Sequence, residues 1–449
     1  MDVQIASARV LVMGLGVTGL EVTKFLAAHG ARVYVQDDAP EEVLREHLAQ
    51  VHPLVEEVRV GGAGWVDPTG FDLVVPSPGV APDGGTLKAA LDGGVPVWSE
   101  IELAFRFLRV PIIAITGSNG KSTTTTMLGK MLAADGRRAF VGGNLGTPLV
   151  VCAGAPKDEE VAVVEVSSFQ LEHVHTFRPR IALLLNLCED HLDRYRSFQA
   201  YVAAKAQIFA RQTPEDLLIA NAEDPHVMAL AARARARRRF FSLTRSLPEG
   251  IFHRNGWLIC REGKDEERFG LESLQITGAH NLENVMAVIL AARAWGVSPA
   301  AIRETLAKFR GLRHRLERVR EVDGVSYYDD SKATNVGAAV RSIESFARPV
   351  VLIAGGKDKG GDYGPLREAV ARHVKSVVLV GEAAARIKKE LGGVVRTIPV
   401  ESYADAVATA HREAEPGDVV LLAPACSSFD MFKSYAERGE HFAALVRTL

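Results

Sequence analysis

The chain has 449 residues, a formal net charge of -2 and an ordinary composition. At ~100–200 residues per domain, this length predicts two to four domains, and three is our preferred number. The near-neutral charge argues against a general nucleic-acid binder, and no stretch approaches the ~18 apolar residues of a membrane span. We interpret the basic run Arg233–Arg239 as a solvated helix face.

The N-terminal residues and the cysteines indicate the cellular compartment of the protein. The first residues lack the basic and then apolar layout of a signal peptide. The four cysteines lie far apart with no metal-type spacing, which fits reduced thiols. We therefore expect a cytoplasmic protein without disulfides or a zinc site. We also expect a monomer that binds neither nucleic acid nor membrane, although no sequence feature fixes the oligomeric state.

The first segment opens on a glycine-rich turn. A predicted strand, Arg9–Met13, leads into the pattern Gly14-Leu-Gly-Val-Thr-Gly19 and an amphipathic helix. A second strand, Arg32–Val35, ends just before Asp37, where an acidic residue of a dinucleotide fold would meet a ribose hydroxyl. The arrangement indicates a site for a nucleotide or a nucleotide sugar, and a strand-to-helix turn without a ligand is the alternative.

A phosphate-binding loop lies in the middle of the chain. An apolar strand starting near Pro111 runs into Gly117-Ser-Asn-Gly-Lys-Ser-Thr123 and then a helix. In such loops the backbone N–H groups face the phosphates, Lys121 neutralises their charge and the Ser122 hydroxyl can ligate magnesium. The first glycine of the usual pattern is replaced by Ile115. The alternative is a simple turn that caps a helix.

Ionisable residues gather after the next strands of this segment. Glu165 ends the apolar strand Val161–Val166, where a carboxylate would be costly without a cation and where phosphate-loop folds carry a magnesium-binding acid. The strand Ile181–Leu187 leads into Glu189-Asp-His-Leu-Asp-Arg194. Such crowding favours metal or phosphate chemistry at this edge of the sheet.

Lys205 falls on the apolar stripe of the helix that follows. Burial can lower a lysine pKa by as much as ~3–5 units, and a neutral amine can add to carbon dioxide to give a carbamate, an anionic metal ligand. A lysine that extends to the surface or pairs with Glu189 or Asp190 is the alternative, and the sequence leaves both open.

The last segment again alternates strands and helices. We predict strands at 325–328, 350–353, 377–380 and 419–422, which indicates a second doubly wound sheet. Polar loops follow three of them, at 329–335, 355–359 and 424–430. Ligands of such sheets bind at the carboxyl ends of strands, so these loops predict a substrate site, although a solvated turn is the default for any one of them.

Taken together, these motifs resemble the Mur ligases, the ATP-dependent amide-forming enzymes that assemble the peptide of bacterial cell-wall precursors. The resemblance rests on the two glycine loops, Glu165–Glu172, Glu189–Tyr195 and Asp330–Asn335. It is greatest for the members that add D-glutamate to UDP-N-acetylmuramoyl-L-alanine. It implies an α/β protein of three domains: an N-terminal Rossmann-like domain (1–100), a central P-loop ATPase-type domain (101–311) and a C-terminal Rossmann-like domain (312–449).

The resemblance also implies roles for individual residues. ATP would contact the phosphate loop and a few residues beyond it, namely Gly117, Ser118, Asn119, Gly120, Lys121, Ser122, Thr123, Asn281, Asn284, Arg315 and Asp330. The UDP precursor would contact Leu15, Gly16, Val17, Thr18, Asp37, Gly79 and Asn144. D-glutamate would contact Thr334, Lys359, Ser428 and Phe429. Two magnesium ions would be held by Ser122 and Glu165 and by His191 and Lys205, the lysine as its carbamate.

The implied chemistry is an acyl-phosphate mechanism. Lys121, Lys332, Lys205 and His191 would be its catalytic residues, and closure of the domains would bring ATP and glutamate together. A folate-type glutamate ligase, a nicotinamide-dependent dehydrogenase and a nucleotide-controlled switch are the competing hypotheses. The first should lack a UDP pocket, the second leaves the phosphate loop unexplained, and the third would not need an acceptor for turnover.

Overall fold

The computed structural model describes residues 3–62, 66–82, 85–154, 158–192, 194–276, 278–358, 360 and 362–449. Three sheets follow one another along the chain. Among these residues, no helix has the length and apolar character needed to cross a membrane.

The first sheet has four parallel strands in the order β3-β2-β1-β4. Apolar residues of β1, α1 and β4 are buried, because a parallel sheet is covered on both faces. Its elements are β1 (Arg9–Met13), α1 (Val17–Ala28), β2 (Arg32–Gln36), α2 (Glu41–Val51), β3 (Glu57–Arg59), β4 (Leu73–Pro76), α3 (Gly85–Asp92) and the connecting helix α4 (Glu100–Phe107).

The second sheet has nine strands in the order β13-β12-β11-β10-β9-β8-β5-β7-β6. Strands β5 to β11 run parallel, and β12 and β13 add two antiparallel strands. Its elements are β5 (Ile112–Thr116), α5 (Lys121–Ala134), β6 (Ala139–Gly143), α6 (Leu149–Gly154), β7 (Val161–Glu165), α7 (Ser168–Leu171), β8 (Ile181–Leu184), α8 (Phe198–Ala206), β9 (Leu217–Asn221), α9 (Pro225–Ala231), β10 (Arg237–Ser242), β11 (Gly250–Arg254), β12 (Trp257–Glu262), β13 (Asp265–Gly270), α10 (Ala279–Ala294) and α11 (Pro299–Lys308).

The third sheet has six strands in the order β14-β15-β19-β16-β17-β18, parallel except for β14. Its elements are β14 (Glu317–Val322), β15 (Val325–Asp329), α12 (Val336–Ile343), β16 (Val350–Ala354), α13 (Gly364–His373), β17 (Val374–Leu379), α14 (Ala384–Leu391), β18 (Arg396–Pro399), α15 (Tyr403–Glu413), β19 (Val419–Leu422) and α16 (Tyr435–Thr448). Three α/β units of this kind confirm the predicted fold class, while the exact boundaries at 100 and 311 stay a prediction.

The interpretation of the basic run as a helix face is wrong. Helix α9 ends at Ala231, and Arg237 begins strand β10, which pairs with β9 and β11. Arg239 forms ion pairs with Glu249 and Glu262, so partners distant in sequence hold this segment extended. Cross-strand pairing outweighs the helix propensity of arginine and alanine.

Candidate active site

A cleft of about 710 Å³ opens where strands of all three sheets end. Its walls come from loops that follow β4, β5, β6, β7, β8, β15, β16 and β19. Ligands of open α/β sheets bind at this edge, so the fold brings three such edges to one place. The predicted residues that line the cleft are Gly79, Ser118, Asn119, Gly120, Lys121, Ser122, Asn144, Glu165, His191, Lys205, Arg315, Lys332, Thr334, Ser428 and Phe429.

The phosphate loop turns into helix α5 at Gly120. The φ angle of Gly120 is 86°, and a Cβ there would lie 2.2 Å from Oδ1 of Asn284. Glycine alone therefore fits between the loop and α10. The ammonium of Lys121 donates to the carbonyl oxygens of Gly117 (2.8 Å) and Ser118 (2.9 Å). Burial lowers the pKa of Lys121, although Glu165 acts in the opposite direction.

Glu165 is a buried carboxylate with one oxygen unsatisfied. Asn144 donates to Oε1 at 2.8 Å, whereas Oε2 is buried without a hydrogen-bond partner in the described structure. Burial raises the pKa of Glu165, but the nearby Lys121 ammonium and other donors outweigh it and hold the pKa below its usual value. An ionised, unsatisfied oxygen beside a phosphate loop fits a divalent cation.

Arg315, from the third part of the chain, reaches the phosphate loop. Its Nη2 donates to Oγ of Ser122 at 2.8 Å. The same arginine also lines a second, smaller pocket next to the cleft. The predicted ATP contact and the predicted metal ligand thus lie in direct contact across two sheets.

Lys205 on α8 is buried, with only 2% of its surface exposed. Its Nζ donates to the carbonyl oxygen of Gly117 (2.8 Å) and to Oγ1 of Thr116 (3.3 Å), and lies 4.9 Å from the centre of the Tyr201 ring. Burial first, and then the charge of Lys121, hold the pKa of Lys205 well below its usual value. The alternative of a lysine that extends to the surface is wrong.

His191 lines the cleft from the loop that follows β8. Its φ angle is 56°, and its Nε2 is 3.6 Å from Oδ2 of Asp190. Asn335 of the third sheet donates to the same carboxylate oxygen at 2.9 Å. Asp190 therefore links the predicted metal residue to the loop that carries Lys332 and Thr334.

Asn281, Asn284, Thr123 and Asp330 line the smaller pocket of about 60 Å³, together with Arg315 and Lys332. Burial raises the pKa of Asp330 to about 6, although a hydrogen bond from Ser342 and the charge of Arg315 oppose it. Apart from Gly117, the predicted ATP residues thus line the cleft or this neighbouring pocket, and Asn119, Gly120 and Arg315 line both.

The residues predicted for D-glutamate gather at the third sheet. Thr334, Ser428 and Phe429 line the cleft; Ser428 is buried, whereas Phe429 has 68% of its surface exposed. Lys359 lies outside the described residues. Sequence reasoning did not select Lys357, which lines the cleft from the same glycine-rich loop.

Part of the residues predicted for the UDP precursor lie elsewhere. Gly79 and Asn144 line the cleft, but the lining does not include Leu15–Thr18 or Asp37. The carboxylate of Asp37 accepts hydrogen bonds from the backbone N–H groups of Leu15 (2.5 Å) and Ala39 (2.7 Å). This acidic side chain therefore holds the first glycine loop in shape.

Several of the other lining residues that sequence reasoning missed are aromatic or basic. Phe169, Tyr201 and Tyr435 line the cleft, and the ammonium of Lys332 lies 3.8 Å from the centre of the Tyr435 ring. Arg194 lines it as well. For Phe169, Tyr201 and Arg194, the available signal was their place inside or next to the motifs that carry Glu165, Lys205 and His191.

Family models match three consecutive parts of the chain. They are described as the Mur ligase MurD-like N-terminal domain (residues 8–99), the Mur ligase middle domain (115–292) and the Mur ligase glutamate ligase domain (314–426). Together they cover the three sheets described above.

Full-length relatives agree with these matches. UDP-N-acetylmuramoylalanine–D-glutamate ligase of Geotalea daltonii is 47% identical over 99% of this chain and 98% of its own length, and that of Trichlorobacter lovleyi is 45% identical over 99% and 100%. Among solved structures, a pseudomurein peptide ligase type C from Methanothermus fervidus superposes with a TM-score of 0.62 at 17% identity, covering 98% of this chain and all of the other. That similarity concerns the fold, while the sequence identities place this chain in the Mur ligase family.

Proposed function

We propose that this chain joins D-glutamate to UDP-N-acetylmuramoyl-L-alanine at the expense of ATP, a step of peptidoglycan precursor synthesis. Relatives that carry this activity in their names are 45–47% identical over nearly the whole chain. The observation that carries the proposal is the cleft, in which residues of all three sheets meet. A reaction of three substrates needs such a shared site.

The positions of the nucleotide residues support ATP as the phosphoryl donor. The phosphate loop would hold its phosphates, and the neighbouring pocket with Asn281, Asn284 and Asp330 would receive the rest of the nucleotide. Arg315 touches both places and would contact ATP from the third part of the chain. The uridine end of the precursor would bind away from the cleft, at Leu15–Thr18 of the first glycine loop and at Asp37.

The metal residues fit two magnesium ions. Ser122 and Glu165 would hold one ion, which the unsatisfied Oε2 of Glu165 supports. His191 and a carbamate on Lys205 would hold the other, and the lowered pKa of Lys205 supports that modification because a neutral amine is the reactive form. When bound, magnesium supplies positive charge to phosphoryl and carboxylate oxygens.

The chemistry then follows from the charges of the cleft. A carboxylate oxygen of the alanyl group attacks the γ-phosphorus of ATP and ADP leaves, giving an acyl phosphate. Lys121 and Lys332, from two different sheets, would lower the repulsion between these anions. The amine nitrogen of D-glutamate next attacks the carbonyl carbon, phosphate leaves with the bonding electrons, and the amine gives up a proton.

The second amino acid is a dicarboxylate, so its site should offer cationic and hydroxyl donors. Thr334, Ser428 and Lys357 are such donors on the third-sheet side of the cleft, with Phe429 beside them. Lys359, in the same loop as Lys357, would contribute a further charge. Asn144 and Gly79, which also line the cleft, would contact the muramoyl end of the precursor.

We further propose that the enzyme acts as a cytoplasmic monomer with domain borders near residues 100 and 311. The small volume of the nucleotide pocket, about 60 Å³, supports a movement of the third-sheet unit on substrate binding.

Gel filtration with light scattering would test whether the enzyme is a monomer. A trimer or dimer at micromolar concentration would refute it.

One assay tests the function. Phosphate release from ATP and magnesium is measured with UDP-N-acetylmuramoyl-L-alanine and, in separate reactions, D-glutamate, L-glutamate or diaminopimelate. We expect release with D-glutamate alone. Release with diaminopimelate would refute the assigned amino acid, and release that needs no acceptor would favour a nucleotide-controlled switch.

A further inference from the structure

Arg194 joins the first sheet to the metal-type residues of the second. It follows His191 in a turn in which the N–H groups of Arg194 (3.0 Å) and Tyr195 (2.9 Å) donate to the carbonyl oxygen of His191. From there its guanidinium reaches the loop after β4, where Nη1 donates to the carbonyl oxygens of Val80 (2.8 Å) and Pro78 (3.3 Å). These two carbonyl groups flank Gly79.

The other edge of the guanidinium is held equally firmly. Nη2 and Nε of Arg194 donate to the two carboxylate oxygens of Glu172, at 2.7 and 3.2 Å. The guanidinium carbon lies 4.4 Å from the centre of the Phe169 ring. Only 13% of the arginine side chain and 14% of the glutamate side chain are exposed. A paired, shielded and stacked guanidinium has a fixed direction.

The contact between Arg194 and the loop after β4 lies in the lining of the cleft. Arg194, Gly79 and His191 all line the same cleft, so the arginine fixes a wall made of the first sheet against a wall made of the second. Hydrogen bonds farther along the same seam, such as Ser99 N–H to the His173 carbonyl oxygen at 3.0 Å, join the sheets outside the cleft lining. The Arg194 contact, in contrast, lies in the lining of the cleft that the proposed precursor must enter to reach the reacting groups.

We propose that Arg194, held by Glu172, is a positioning residue that sets the loop 78–80 for the UDP precursor. This inference rests on the proposed function. A planar fork makes the four hydrogen bonds at once, which an ammonium cannot do. Loss of the guanidinium should leave the phosphate loop unchanged and increase the mobility only of the loop 78–80.

The test compares Arg194→Lys with the wild type and with Arg196→Lys, a control at an exposed arginine two residues on. We expect the KM for UDP-N-acetylmuramoyl-L-alanine to rise roughly tenfold in Arg194→Lys. The KM for ATP should stay within about twofold, and the control should match the wild type. Glu172→Gln, which keeps the arginine but weakens its anchor, should raise the precursor KM in the same direction by a smaller factor.

The outcomes separate the two proposals. A wild type that releases no phosphate with the precursor and D-glutamate refutes the proposed function. An active wild type together with an unchanged precursor KM in Arg194→Lys refutes the positioning role. Equal rises in the KM of precursor and ATP also refute it, since a general loss of structure would weaken both.

Discussion

The glycine loops that precede α1 and α5 each lie between a strand and a helix, and the structure uses them differently. In the loop before α5, the charged or hydroxyl side chains of Lys121 and Ser122 line the cleft. In the first turn of α1, a Cβ on Gly19 would lie 1.8 Å from the carbonyl oxygen of Gly14, so glycine there serves close packing of the helix against the loop that precedes it. Similar glycine spacing thus indicates a similar backbone geometry. The kind of ligand is indicated by the side chains that lie next to each loop.

Surrounding charge makes the difference between the two loops. Lys121, Glu165, Lys205 and Arg315 approach the second loop from different elements. The acidic side chain that contacts the first loop, Asp37, accepts hydrogen bonds from backbone N–H groups. The second loop is therefore suited to phosphoryl chemistry, and the first is suited to holding a ligand by its backbone.

The largest expected effect is at Lys205. Lys205→Ala should lower kcat by more than about 100-fold, because it removes the proposed carbamate ligand. Added short-chain carboxylic acids should restore part of the activity by occupying the same space. Phosphate release measures both effects, and Lys264→Ala, at an exposed lysine, is the control. Loss of activity without any rescue would contradict the carbamate.

Glu165→Gln should have the next largest effect. It keeps the shape of the side chain but removes the charge, so magnesium-dependent turnover should fall by roughly 10–100-fold. The affinity for the UDP precursor, measured by calorimetry, should change little because the proposed uridine site lies at the first sheet. Equal losses of turnover and precursor affinity would contradict the assignment of Glu165 to the metal.

Much of this contrast was predictable from the sequence. Strand β1 was predicted with its observed bounds, and the place of Lys205 on an apolar helical stripe indicated burial without excluding a lysine that extends to the surface. Both depend on local pattern, which a sequence displays directly. The convergence of Arg315 on Ser122 depends on how two sheets meet, and it entered the expectations through family resemblance alone.

Other features could not be predicted because they depend on contacts distant in sequence. Strand β10 carries a run of arginines, of which Arg239 pairs with Glu249 and Glu262 on a later turn and a later strand. The use of Asp37 as a backbone acceptor depends on the exact path of the glycine loop. Likewise, Arg194 gains its role only when the loop after β4 comes within reach of it.

A smaller effect is expected at Asp37. Asp37→Asn removes a charged acceptor of two N–H groups, so the melting temperature should fall by roughly 2–4 °C and the KM for the UDP precursor should rise roughly tenfold. Scanning calorimetry and phosphate release measure the two. A lower melting temperature with an unchanged precursor KM would show that the first loop only supports the fold.

The smallest effect on turnover is expected at Glu100, in helix α4, which connects the first sheet to the second. Its Oε1 accepts the Val150 N–H at 2.7 Å, and its Oε2 is buried without a hydrogen-bond partner in the described structure. Burial raises the pKa of Glu100 to about 7, against the lowering effect of the Val150 N–H. The folded state therefore binds this proton more tightly than the unfolded state.

The stability that this proton contributes is complete below pH 4.5 and is lost as the pH rises to about 7. A change from 4.5 to about 7 corresponds to about 3 kcal/mol. Glu100→Gln should thus raise the melting temperature at pH 8, change it little at pH 5 and leave kcat unaltered, because the amide stays neutral at both values. Glu41→Gln, at an exposed position, is the control. An equal change in melting temperature at both pH values would mean that Glu100 does not titrate in this range. A changed kcat would mean that the connection between the first and second sheets influences the shape of the cleft.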